Sequence, residues 1–173
     1  LANLIRNKLK YSLVESDSIV NAFDVVFPEL GIVHKKPKEA REKFKPFLFE
    51  LLNGFCRDLK YNGNVTIFPG AQFLPESIYE YPKKDKFIVI FLGMSNATPQ
   101  QLMAKIRKMD TSFDWTYNRS DDQLLNNCKE IVNESIKLKN KCNEYGFYYF
   151  DTFKNRNEIL NQIVSLIEKE NSL

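Results

Sequence analysis

The chain has 173 residues, of which 43% are hydrophobic and 27% charged, and its formal net charge is +3. This length and apolar content fit one domain with a substantial core, and the low glycine and proline content excludes a fibrous or disordered sequence. Basic and acidic residues are interspersed, so nothing beyond the small positive charge favours nucleic-acid binding, and we do not expect it.

The cysteines predict a reducing compartment. Cys56, Cys128 and Cys142 are odd in number and match no zinc-binding spacing. Two of them fall on the apolar stripe of a predicted helix, so we expect buried free thiols and a cytoplasmic protein. No secretory signal is visible, and the longest apolar run, residues 87–92, is far too short to span a bilayer. We therefore expect no membrane partner.

The first part of the chain predicts a helix, a strand and a second helix. Apolar residues at helical spacing begin at Leu1 itself, with neither a cap nor a strand before them, so we expect further residues upstream of Leu1. Residues 11–14 form a strand candidate. Asp17 then stands where it can cap a helix over residues 18–27.

A longer helical pattern follows over residues 37–60. Pro46 lies inside it and is expected to kink or split the helix, because proline lacks the backbone N–H that a helix interior needs. Residues 65–68 form a second strand, which a Pro-Gly pair ends. Pro75 is expected to open a short helical turn.

The second half of the chain carries the strongest helix signals. Thr98 with Gln101, and Ser120 with Gln123, match the capping-box pattern, so a helix is expected after each. Gly146 is expected to end the second of these helices. The remaining predicted elements are strands over residues 87–92 and 147–150, a polar and aromatic loop over residues 110–119, and a final helix that Asn155 and Glu158 begin.

Strands that alternate with helices predict an α/β fold with a parallel sheet and helices on both faces, which is a three-layer arrangement. One further strand upstream would complete a regular five-stranded sheet. Ligands of such sheets bind outside the carboxyl ends of the strands. That rule selects four segments, which we expect to converge on one edge of the sheet: residues 15–17, 69–72, 94–96 and 151–152.

In the order and spacing of its elements, the chain resembles the P-loop small-molecule and nucleoside-monophosphate kinases, a group that includes adenylate-kinase-like, zeta-toxin-like and chloramphenicol-phosphotransferase-like proteins. Residues 14–19 resemble the segment after that group's second strand, residues 65–70 its third strand and residues 87–92 its fourth. The resemblance implies one P-loop NTPase-like domain over residues 1–173, without its first strand and phosphate-binding loop. It also implies phosphoryl transfer from ATP, with Mg²⁺, to a small-molecule acceptor.

The resemblance assigns roles to individual residues. Asp17 would orient or deprotonate the acceptor, and Arg107 and Arg119, which flank the 110–119 loop in the position of the group's lid, would bind the transferring phosphoryl group. The residues implied at the nucleotide are Asp151, Thr152, Asn155 and Arg156. The residues implied at the acceptor are Gly70, Gln72 and Trp115. Each also has a plain structural alternative, such as a helix cap for Asp17 or a surface position for the arginines.

Two departures from the group's pattern leave an alternative open. The sequence has no G-x-x-x-x-G-K-[ST] motif, which would cradle the phosphates. Pro69 stands near the position where the group has an acidic residue at the end of its third strand, so no metal ligand is assigned in this chain. The alternative is a non-catalytic nucleotide- or partner-binding module of the same fold. His34 has neither a second histidine nor a nearby cysteine, and we do not expect it to bind a metal.

Overall fold

The computed structural model describes residues 1–33 and 37–171, so His34 lies outside the described residues. Helices and strands are mixed along the chain, and single 3₁₀ turns lie at Pro28–Leu30 and Lys84–Lys86. The helices are α1 Ala2–Leu9, α2 Ser16–Val26, α3 Pro37–Asn62, α4 Pro75–Tyr79, α5 Pro99–Met109, α6 Asp121–Tyr145 and α7 Arg156–Glu170. The strands are β1 Ser12–Leu13, β2 Thr66–Ile67, β3 Ile90–Gly93 and β4 Tyr148–Asp151.

The four strands form two parallel pairs. β1 pairs with β2, with Ser12 opposite Thr66, and β3 pairs with β4, with Gly93 opposite Asp151. Parallel pairing was predicted, but the described residues contain two two-stranded sheets rather than one sheet of four strands. The four predicted segments therefore lie at the ends of two strand pairs, and the three-layer arrangement stays a prediction.

The chain divides into two units, residues 1–87 with 166–173 and residues 88–165. In the first unit, α3 is continuous through Pro46, so the predicted split is wrong. A proline removes only one intrahelical hydrogen bond, and the buried side chains of Phe44 and Leu48 on either side of Pro46 hold both halves of the helix in the core. Phe47 adds to this packing through an edge-to-face contact with Phe23, with ring centroids 4.7 Å apart.

The start of α2 also differs from the prediction. The helix begins at Ser16, its cap position is Glu15, and no side chain caps it. Asp17 therefore lies in the first turn rather than at the cap, and the prediction that it caps α2 is wrong. The reason is a competing partner, because the Asp17 carboxylate accepts a hydrogen bond from Gln72 instead.

The second unit confirms the helix signals read from the sequence. Both capping boxes are formed, at Thr98 and at Ser120, and α6 ends at Gly146 in the left-handed conformation with φ 74°. Leu124 and Cys128 of α6 are fully buried in the core of this unit. Burial raises the pKa of the Cys128 thiol above its ordinary value, as expected for a free thiol in an apolar core.

None of the helices in the described part of the chain is long and apolar enough to cross a membrane.

Candidate functional site

The carboxyl end of the β1–β2 pair brings the start of α2 against the loop after β2. Hydrogen bonding continues beyond the short strands, since Val14 N–H donates to the Ile67 carbonyl at 3.0 Å and Ser16 N–H donates to the Pro69 carbonyl at 3.1 Å. The first turn of α2 is therefore fixed beside residues 69–72, as expected for the ligand-binding end of a parallel pair.

Gln72 links the two neighbouring residues of that turn. Its amide nitrogen donates to Asp17 Oδ1 at 2.9 Å, and its amide oxygen accepts from the Ser16 hydroxyl. An ionised carboxylate only accepts, so the amide nitrogen must face Asp17, and the serine hydroxyl must then be the donor to the amide oxygen. Ser16 is fully buried whereas Asp17 is exposed. The buried Ser16 hydroxyl therefore fixes the Gln72 amide, and that amide in turn orients the exposed Asp17 carboxylate.

Gly70 makes this approach possible. A Cβ atom at Gly70 would lie 1.5 Å from Ser16 Oγ and 2.6 Å from Gln72 Oε1, which are distances that no side chain can occupy. Three predicted site residues, Asp17, Gly70 and Gln72, are thus together at one sheet end. Ser16 joins them; the sequence analysis placed it in the 15–17 segment but assigned it no role of its own.

At the carboxyl end of the β3–β4 pair, Asp151 ties the loop after β3 to β4. One carboxylate oxygen accepts from the Ser95 hydroxyl at 3.0 Å and from Asn96 N–H at 2.8 Å, and the other accepts from Phe153 N–H at 3.0 Å. Thr152 is buried and its N–H donates to the Gly93 carbonyl at 2.8 Å. Both residues, predicted at the nucleotide, therefore shape the loops of this sheet end.

Tyr149 supports the same loops and was not singled out by the sequence. Its hydroxyl accepts from Ser95 N–H at 3.3 Å, and its ring lies so close to Gly93 that a Cβ there would be 2.3 Å from the hydroxyl oxygen. Burial, with a smaller contribution from the nearby Asp151 carboxylate, raises the pKa of the Tyr149 phenol above its ordinary value. The hydroxyl is therefore a neutral member of the network.

An open cleft of about 500 Å³ lies beside Asp151 and the start of α7. It offers amide groups, one ammonium group and one apolar side chain, together with two carboxylates. Its lining residues are Asn96, Asp151, Lys154, Asn155, Glu158, Ile159 and Gln162. Asn155 adopts a left-handed conformation with φ 50°, and its amide donates to Glu158 at 3.3 Å. Arg156 is exposed and does not line the cleft.

The 110–119 loop carries two of the remaining predicted residues, Trp115 and Arg119, and the third, Arg107, lies just before it in α5. Trp115 is 62% exposed, and the Arg119 side chain is exposed. The Arg107 guanidinium donates to the Arg119 carbonyl at 2.6 Å and to Asp121 Oδ1 at 2.9 Å. Within the loop, hydrogen bonds from the hydroxyl and the N–H of Thr111 lower the pKa of Asp114. The loop is thus an ordered structure with its own hydrogen bonds.

No group of three or more metal-ligating side chains is present among residues 1–33 and 37–171. Both oxygens of Asp151 already accept hydrogen bonds. The described side chains therefore do not fit a Mg²⁺ site by themselves.

No protein-family model matches the chain, and neither curated proteins nor solved structures include one that is significantly similar to it. The kinase resemblance therefore stays a prediction.

Proposed function

We propose that this chain belongs to an ATP-dependent phosphotransferase that acts on a small-molecule acceptor. The observation that carries the proposal is the exposed Asp17 carboxylate at the carboxyl end of a parallel strand pair, held through one oxygen by Gln72. Within the described residues its other oxygen, Oδ2, has no hydrogen-bond partner, so that atom is open to a ligand hydroxyl.

This arrangement suits acceptor activation. Asp17 Oδ2 accepts a hydrogen bond from the acceptor hydroxyl and takes its proton as the hydroxyl oxygen bonds to the γ-phosphorus of ATP. The bond between the γ-phosphorus and the oxygen bridging to the β-phosphorus breaks, which leaves ADP and a phosphorylated acceptor. Gln72 keeps the carboxylate in one orientation, so the base is pre-positioned for this step.

The cleft beside α7 is our candidate for the nucleotide base. Its amides, including those of Asn155 and Gln162, can donate to and accept from the edge of a base, and Ile159 offers an apolar contact for its face. The Lys154 ammonium group adds a positive charge suited to a phosphate. Thr152 acts by shaping these loops, whereas Asp151 both shapes them and lines the cleft.

The finer fold, a five-stranded parallel sheet of the P-loop type, is part of the proposal. Removing the central strand of such a sheet leaves two parallel pairs, and two parallel pairs are what the described residues contain. In the proposal, a fifth strand and a phosphate-binding loop complete this sheet. That loop would supply backbone donors for the phosphates and, because the described side chains do not fit Mg²⁺, the main metal contacts as well.

The proposal is tested by the turnover of two aspartate variants in the full-length protein. Asp17→Asn keeps the size of the side chain but removes the base, and we expect kcat to fall by about 10²-fold or more. Asp24→Asn is the matched control, since Asp24 lies on the same helix about 10 Å further along. Equal turnover by Asp17→Asn and the wild-type protein would refute the role of Asp17.

One observation favours the second candidate, a non-catalytic nucleotide-binding module. Pro69 stands near the position of the group's acidic residue, and its carbonyl is occupied by the Ser16 N–H. Such a module would bind ATP without consuming it. Calorimetric ATP binding by the full-length protein, combined with no ADP formation against any acceptor, would select this candidate over the enzyme.

A further inference from the structure

The two ends of the 110–119 loop meet on one side chain. Arg107, in the last turn of α5, donates from Nη2 to the Arg119 carbonyl at 2.6 Å and to Asp121 Oδ1 at 2.9 Å, and its Nε donates to Asp121 Oδ1 at 3.2 Å. On its other side, Nη1 lies 3.7 Å from Oδ2 of Asp110, where the loop begins. A planar guanidinium with donors on several edges is suited to joining partners in this way.

Between these ends, hydrogen bonds join side chains within the loop, whereas the buried Oδ2 atom of Asp110 accepts none and lies only within ion-pair distance of Arg107. The Thr116 hydroxyl donates to Asp110, and both side chains are more than nine-tenths buried. The hydroxyl and N–H of Thr111 donate to Asp114 at 2.7 and 2.8 Å. The aromatic side chains point outward instead, with Phe113 97% exposed and Trp115 62% exposed. The rings therefore do not hold the loop together, and its order depends on its polar contacts.

A phosphate-binding arginine needs donors that are free to reach its ligand. Nε and Nη2 of Arg107 already donate to protein partners. Arg119 takes part in these contacts through its backbone carbonyl and not through its exposed guanidinium. We infer that Arg107 is a positioning residue that fixes both ends of the 110–119 loop, and that Arg119 alone is the phosphate-directed arginine of the loop. The second half of this inference rests on the proposed function, whereas the first half does not.

The first half is tested by limited chymotrypsin digestion of the protein, with cleavage sites located by mass spectrometry. Arg107→Met and Asp121→Asn release the loop ends, and we expect cleavage at Phe113, Trp115 or Tyr117 to become about three- to tenfold faster. Trp115 is the only tryptophan, so its fluorescence anisotropy reports the same loss of order. Circular dichroism establishes that each variant is folded.

Two matched controls separate this effect from a general loss of charge. Arg119→Met keeps the backbone carbonyl that Arg107 binds, and Asp122→Asn changes the acidic residue next to Asp121. We expect both to be cleaved at the wild-type rate. The positioning role would be overturned if Arg107→Met and Asp121→Asn, each tested as a single variant, were both cleaved at the wild-type rate. It would also be overturned if Arg119→Met were cleaved as fast as Arg107→Met.

The second half is tested by turnover of the same variants in the full-length protein. We expect Arg119→Met to lower kcat while its loop remains protected from chymotrypsin. A loss of turnover in Arg107→Met with a fully protected loop would show that Arg107 acts on the phosphate directly and would overturn the assignment. An absence of turnover in the wild-type protein would remove the proposed function and the Arg119 assignment, but the digestion result would still decide the role of Arg107.

Discussion

Replacing Gly70 with alanine tests the packing on which the Asp17 network depends. The new Cβ would lie 1.5 Å from Ser16 Oγ and 2.7 Å from Ser16 Cβ, and Ser16 is fully buried and cannot swing into solvent. Overpacking of this kind costs about 1–3 kcal/mol, and loss of the hydrogen bond between Ser16 and Gln72 costs about 0.5–1.5 kcal/mol. We therefore expect Gly70→Ala to lower the free energy of unfolding by about 1.5–4.5 kcal/mol.

The assay is urea unfolding followed by circular dichroism, with Gly54→Ala as the matched control. Gly54 lies inside α3, where the nearest atom to an added Cβ is Arg57 Nη2 at 3.8 Å, so the same substitution should stabilise the protein by about 0.5–1 kcal/mol. The double variant Gly70→Ala/Ser16→Gly removes the two clashing Ser16 atoms, although not Gln72 Oε1, and should be less destabilised than the sum of its single variants. An unfolding midpoint for Gly70→Ala equal to that of the wild-type protein would refute this packing.

Three further predictions concern the second unit. Leu124→Ala, at a fully buried position, should cost about 2–5 kcal/mol of unfolding free energy, whereas Ile136→Ala, at a 43% exposed position on the same helix, should cost far less in the same urea titration. Ser120→Ala removes the cap of α6 and should cost about 1 kcal/mol, and Ser120→Asp should restore most of that loss. Because the folded protein holds the Tyr149 proton more tightly than the unfolded chain, this phenol lowers stability as the pH rises above its ordinary pKa of 10.0. Urea unfolding at neutral pH and at a pH above 10.0 gives the drop in unfolding free energy for each protein, and we expect a smaller drop for Tyr149→Phe than for the wild-type protein. An equal drop in both proteins would contradict the burial of that hydroxyl.

Local signals predicted the second half of the chain well. The capping boxes at Thr98 and Ser120, and the glycine that ends α6, depend only on residues within one turn of each other, so the sequence shows both partners at once. The strands were predicted at the correct places but with shifted ends, because strand limits depend on the partner strand. β3, for instance, ends at Gly93, where Asp151 is its partner.

Long-range contacts account for what the sequence missed. Asp17 has the residue type and position of a helix cap, but its partner Gln72 is 55 residues away in the chain and no local pattern shows it. The phosphate role of Arg107 stays a prediction, but the local sequence did not show that its guanidinium contacts a carbonyl and a carboxylate 12 and 14 residues further along the chain. Residue type and strand ends brought Asp17, Gly70 and Gln72 to one sheet end in the prediction, while the hydrogen-bond partners of these side chains depended on the tertiary contacts.

The most direct test of the proposed phosphotransferase is a search for acceptor phosphorylation by the full-length protein. The protein is incubated with ATP, Mg²⁺ and a mixture of small hydroxyl-bearing metabolites, and mass spectrometry records ADP and any metabolite that gains one phosphoryl group. We predict ADP formation that depends on one class of acceptor, matched by an equal amount of phosphorylated acceptor. ATP left unchanged in the presence of every acceptor would contradict the account.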